Sequence, residues 1–173
     1  MNQWKSELAI LAHQWPSFLS RIISPKLILL PYWWPVKFNA WAYGIFIIIG
    51  PGLRDAPDDA RQYIIGHEYG HIYCNHTVLH FVYWMSFIVL CGSELIELPL
   101  LKSLALISLS LVTLYVCLPG QAKKREFEAD AIALSIFGQP IVLNGSLWMA
   151  NKTGTLNNFF RQLRLVKLGW KPS

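Results

Sequence analysis

Residues 58–76 decide how this chain reads: Asp58-Asp59-Ala60-Arg61-Gln62-Tyr63-Ile64-Ile65-Gly66-His67-Glu68-Tyr69-Gly70-His71-Ile72-Tyr73-Cys74-Asn75-His76. The segment just before it, Asp55-Ala56-Pro57-Asp58, is a helix start: Asp55 suits the N-cap, Pro57 the first turn, and the acids the helix dipole. A helix is expected from about Pro57 to about His76. His67-Glu68-Tyr69-Gly70-His71 within it is an H-E-x-x-H pattern. Positions i and i+4 share a helix face, so two imidazoles can converge on one zinc ion. Glu68, beside the first histidine, is placed to take a proton from a metal-activated water.

A catalytic zinc takes a third protein ligand, and the sequence offers several. The pattern H-E-x-x-H-x-x-G-x-x-H fails, because Cys74 holds the glycine place and Thr77 the histidine place. His76 is one residue off, a 100° error on a continuous helix. His80 opens an apolar stretch. Further on, Arg125-Glu126-Phe127-Glu128-Ala129-Asp130-Ala131 carries Glu126 and Asp130 at i and i+4, on one face. One of these carboxylates suits the metal and the other the second nitrogen of a ligand histidine. Glu128 stands about 200° around from Glu126 and faces elsewhere.

The rest of the composition sets the context. The chain has 173 residues, 54% hydrophobic and 14% charged, with three cysteines. That excludes intrinsic disorder and a disulfide-stapled framework, and it points towards a membrane-associated protein. The net charge of +5 falls entirely within residues 131–173, which hold Lys152, Arg161, Arg164, Lys167 and Lys171 and no acid. A basic segment on an aromatic, apolar chain indicates anionic lipid; no nucleic-acid recognition motif accompanies it.

Along the chain, residues 1–25 read as an amphipathic helix and 26–53 as a small sheet with a β-branched strand at 44–49. The zinc helix follows at 57–76. Residues 77–118, with Glu94, Glu97 and Lys102 as their only charges, read as a membrane hairpin with arms near 77–92 and 103–118. A second zinc helix is expected over 123–137 and a basic helical tail over 138–173. The flanking Lys123-Lys124-Arg125 puts the remaining protein on the cytoplasmic side.

The ordered pair His67–His71 and Arg125–Ala131, separated by a hydrophobic hairpin, resembles the integral-membrane zinc metallopeptidases that include HtpX and the CaaX prenyl endopeptidases. Phe38-Asn39-Ala40-Trp41-Ala42, Ile45–Ile49 and Gly52-Leu53 are similar to that family's strand segment, so the resemblance covers about residues 26–145. It implies an α+β, mostly helical, zincin-like metallopeptidase core with a small edge sheet and a hydrophobic helical hairpin between the two zinc-binding helices. It implies one zinc per chain held by His67, His71 and Glu126, Glu68 as catalytic base, and Asp130 orienting a ligand. The activity expected is endoproteolysis of unfolded or membrane-protein segments.

An extended peptide is expected to lie along the strand, near Asn39, Ala40, Gly44 and Ile45. His80, Arg161 and Arg164 are candidates for stabilising the transition state. An inner or plasma membrane location with the site facing the cytoplasm follows, with lipid as partner. The rival from another class is a catalytically inactive, zinc-stabilised membrane adaptor. The site-two type of intramembrane protease needs an Asp-Gly motif, and none occurs in this chain.

Overall fold

A computed structural model describes residues 4, 6, 25–74, 76–96, 99–117 and 120–170, with the backbone alone at 77–81, 83, 93–96 and 114–117. Lys26–Leu29 (β1), Ala40–Tyr43 (β2) and Phe46–Ile49 (β3) form one sheet in the order β1-β3-β2. β3 runs parallel to β1 and antiparallel to β2, with Tyr43 opposite Phe46. Ile47 and Ile49 are fully buried while Phe46 turns outward, the alternation of a half-buried strand. The expected strand over 44–49 begins only at Phe46. Gly44, at φ +59°, and Ile45 form a tight turn instead, in a backbone state that β-carbons disfavour. β2 is an outer strand, so among the described residues one of its edges has no strand partner.

A 3-10 turn, Pro51–Leu53, leads to six helices among the described residues: Asp58–Tyr73 (α1), His76–Ile96 (α2), Pro99–Cys117 (α3), Gln121–Phe137 (α4), Gln139–Lys152 (α5) and Phe159–Lys167 (α6). The architecture is α+β and mostly helical. α1 is its axis, packed against α4 and α5 on one side and β2 and β3 on the other. Burial on both sides explains why Ala60, Tyr63, Ile64, Ile65, Tyr69 and Ile72 lie all around the helix and not on one stripe. Pro57, not Asp55, is the N-cap, and Asp58 and Asp59 occupy the first turn, where their charge suits the helix dipole. The Asp59 carboxylate accepts from Asn144 Nδ2 at 2.9 Å, tying α5 to this end.

α1 stops at Tyr73, short of the expected His76, and His76 instead opens α2. Against α4 the packing is backbone to backbone. A Cβ on Gly70 would stand 2.7 Å from Ala129 Cα and 2.8 Å from its carbonyl oxygen, so only glycine fits. One turn earlier a Cβ on Gly66 would stand 3.1 Å from Ala133 Cβ.

α2 and α3, which lie between α1 and α4 in chain order, pack on one another. Large apolar side chains such as Ile88, Leu100 and Leu111 remain on their outside. No helix among the described residues is long and apolar enough to cross a membrane, so the expected spanning arms are not supported. Polar residues punctuate both: His76, Thr77, His80 and Ser86 in α2, and Lys102, Ser103, Ser108 and Thr113 in α3.

The segment expected as a basic tail is part of the core. Val142, Ala150 and Leu165 from α5 and α6 are fully buried. The Asn158 side chain caps α6 by accepting from Phe160 N at 2.9 Å and Arg161 N at 3.3 Å. Of the expected N-terminal helix, Trp4 and Ser6 are helical and Trp4 is buried, its Nε1 donating to Arg54 O at 3.1 Å. Residues 1–3, 5 and 7–24 of that helix lie outside the described residues. The tryptophan-rich loop is largely open to solvent, with Trp33 78% exposed.

Gly70→Ala is expected to destabilise the protein by about 1–3 kcal/mol in urea unfolding, because the added methyl drives α1 and α4 apart. Gly92→Ala in α2 is the control. Nothing lies within 4 Å of its Cβ, so it is expected to be neutral or to gain up to about 1 kcal/mol of helix propensity.

Candidate active site

α1 presents His67 and His71 one turn apart, and α4 brings Glu126 over them. His67 Nε2 and His71 Nε2 lie 3.2 Å apart. Glu126 Oε2 is 3.4 Å from the first and Glu126 Oε1 3.4 Å from the second. A tetrahedral zinc with nitrogen and oxygen ligands at about 2.0–2.2 Å sets its donors about 3.3–3.5 Å apart, so these three residues fit such an ion. Two bare imidazole nitrogens and a carboxylate facing one another are mutually repulsive unless a cation lies between them. The donor set of two imidazoles and one carboxylate suits zinc.

Each histidine is held from behind. His67 Nδ1 lies 2.9 Å from Asp130 Oδ1 and donates to it when Nε2 is kept free for a metal. Tyr63 also donates to Asp130 Oδ1 from its hydroxyl, at 3.2 Å. Arg164, buried on α6, grips both oxygens of Asp130 at 2.7 Å through its Nε and one terminal nitrogen. Its other terminal nitrogen donates to Glu126 Oε2 at 2.5 Å. Burial opposes charge on both carboxylates. Even so, the adjoining histidines and the nearby Arg164 charge hold Glu126 and Asp130 well below the usual carboxylate range.

Behind His71 stands a second chain of groups. His71 Nδ1 is 3.0 Å from His76 Nδ1, and His76 Nε2 is 3.0 Å from Glu128 Oε2. With His71 Nε2 free for a metal, every donation runs one way: His71 Nδ1–H to His76, then His76 Nε2–H to Glu128. Lys124 Nζ lies 3.6 Å from the other Glu128 oxygen. The sequence reading set both His76 and Glu128 aside. The 100° error assigned to His76 assumed one continuous helix, and the break after Tyr73 removes it. Glu128 does face away from Glu126, and that direction is where His76 stands.

Glu68 is buried beside the histidines, and burial pushes its carboxyl up from the ordinary 4.5, partly offset by His67 and His71. It opens on a cleft of about 560 Å³. Asn39, Ala40, Trp41 and Ala42, at and beside β2, line it together with Lys123 and Arg125 of α4 and Phe160 and Arg161 of α6. Of the residues expected to meet a peptide, Asn39 and Ala40 line this cleft, while Gly44 and Ile45 sit in the β2–β3 turn and do not. Trp41 and Ala42 take their place. Arg161 lines the cleft, and so does Arg164, whose donors are already committed to Asp130, Glu126 and Tyr63. The His80 side chain lies outside the described residues.

The sequence model of peptidase family M48 matches residues 35–146, which include α1, α4 and the strand that lines the cleft. No curated protein and no solved structure matches the chain.

Asp130→Asn and His76→Ala are each expected to weaken zinc binding about 10–100-fold, measured by competition with a chromophoric chelator. Unchanged affinity in His76→Ala would mean that the His71–His76–Glu128 chain does not orient the ligand.

Proposed function

Because the chain belongs to peptidase family M48, a family of zinc-dependent metallopeptidases, we propose that it is an endopeptidase acting on unfolded or flexible segments of proteins, membrane proteins among them. The observation that carries this reading is the meeting of His67, His71 and Glu126 ligand atoms within 4.8 Å of one another, with Glu68 buried beside them. In this reading the sheet, α1 and α4 are a zincin-like core, and α2 and α3 form a hydrophobic hairpin inserted between the zinc helices.

His67, His71 and Glu126 would hold one zinc. When bound, zinc supplies a Lewis acid that polarises the scissile carbonyl and acidifies water. Glu68 takes the proton of the attacking water and delivers it to the leaving amine nitrogen, and a carboxyl whose pKa is raised by burial serves both steps. Asp130 keeps the proton of His67 on Nδ1. Arg164 acts as a positioning residue, holding Asp130 and Glu126 in register. An extended substrate lies along the open edge of β2, past Asn39 and Ala40, adding a strand through main-chain hydrogen bonds.

The exposed apolar sides of α2 and α3 support a membrane-associated protein whose hairpin rests in the bilayer surface. Exposed Lys123 and Lys124 at the start of α4 favour an anionic, cytoplasmic leaflet of an inner or plasma membrane, with the cleft on that side. An inactive zinc-stabilised adaptor is not favoured, since a structural site has no use for a buried Glu68.

Glu68→Gln is expected to keep one zinc per chain and to lower chelator-sensitive cleavage of casein by at least about 100-fold. Loss of zinc in that variant would make Glu68 a ligand or a structural residue. In the wild type, Glu68 must be ionised to accept a proton, so kcat/KM is expected to fall as the pH drops through the pKa of its carboxyl.

A further inference from the structure

Arg125 is the group in the cleft that the chemistry above leaves unused. It is only 8% exposed and lines the cleft wall. Its Nε donates to Gln121 O of its own helix at 3.3 Å, and no carboxylate pairs with it among the described residues. That bond uses one of five N–H donors. A mostly buried guanidinium at the wall of a cleft gains from a carboxylate that enters, because charge-assisted hydrogen bonds are strong where water is limited. Lys123 and Arg161 line the same cleft, and neither has an acidic partner among the described residues. Lys123 Nζ lies 5.8 Å over the Phe160 ring, which keeps it at the cleft. The acids lining the cleft are Glu68 and Glu126, both assigned to the metal chemistry, against the cations Lys123, Arg125, Arg161 and Arg164. A concave site lined mainly by cations concentrates its field on an incoming anion.

We propose that Arg125, assisted by Lys123 and Arg161, binds a carboxylate of the peptide substrate, so that the enzyme selects acidic segments or a free chain end. The planar fork of Arg125 suits two-point binding of a carboxylate, and β2 at the same cleft aligns the main chain of the same peptide. The inference rests on the endopeptidase reading and gives that site its specificity.

The test uses the full chain and quenched fluorescent peptides of one frame. One set moves a Glu, or a Gln in its place, through successive positions. A second set compares a free C-terminal carboxylate with an amide. Binding of the same peptides to Glu68→Gln is followed by anisotropy. At one position Glu is expected to raise wild-type kcat/KM, and affinity for Glu68→Gln, about 10-fold or more over Gln. A gain seen instead between carboxylate and amide identifies the chain end as the source. In either case the gain is expected to vanish in Arg125→Gln, to return in part in Arg125→Lys, and to shrink in Arg161→Gln. Thermal melting checks that each variant is folded, and the wild-type preference needs no variant at all.

Equal cleavage and equal binding of charged and neutral peptides would overturn the proposal and leave the endopeptidase reading standing. Preferred binding of acidic peptides to Glu68→Gln, with no peptide cleaved by the wild type, would keep the carboxylate site and overturn the endopeptidase reading.

Discussion

Where Gly70 meets Ala129, two helices run close enough that a single β-carbon would be 2.7 Å from the facing backbone. Helix axes usually stand 8–10 Å apart, and small residues at the contact bring them to the near end of that range. The chemistry depends on this closeness. Histidine and glutamate side chains have fixed reach, so Glu126 can sit 3.4 Å from both imidazoles only if α4 lies hard against α1. Glycine here is therefore a constraint imposed by the donor atoms one turn away.

A second constraint is charge. Two carboxylates, two imidazoles and an arginine share one buried volume, and such a cluster holds together only when each group has a partner of opposite sense. Arg164 meets this need for Asp130 and Glu126 together, spanning the two acids from a helix that contributes no ligand of its own. The cleft beyond is balanced differently. There Lys123, Arg125 and Arg161 have no carboxylate partner among the described residues.

Much of the site was legible in the sequence because it is local. His67, Glu68 and His71 follow from spacing on one helix, and Glu126 with Asp130 from spacing on another. The small sheet was legible from β-branched runs and turn residues. What stayed hidden depends on events between elements. His76 joins the site because α1 ends at Tyr73, three residues earlier than a helical extrapolation requires, and no proline or glycine marks the end. Arg164 stood unranked beside Arg161 because its partner Asp130 is 34 residues away. The apolar bias of residues 77–118, 42 residues carrying three charges, suggested spanning arms, and no helix among the described residues is long and apolar enough to be one.

The order in which these groups leave the ribosome matters too. Arg164 follows His67 by 97 residues and Asp130 follows it by 63. At a synthesis rate of about 5–20 residues per second, the arginine emerges roughly 5–20 seconds after the first histidine. Until then the two acids lack their clamp, and the ligand atoms have no reason to stay in register. The ion cluster that holds the ligand atoms in register is therefore a late product of folding, closed only when α6 docks beside α1 and α4.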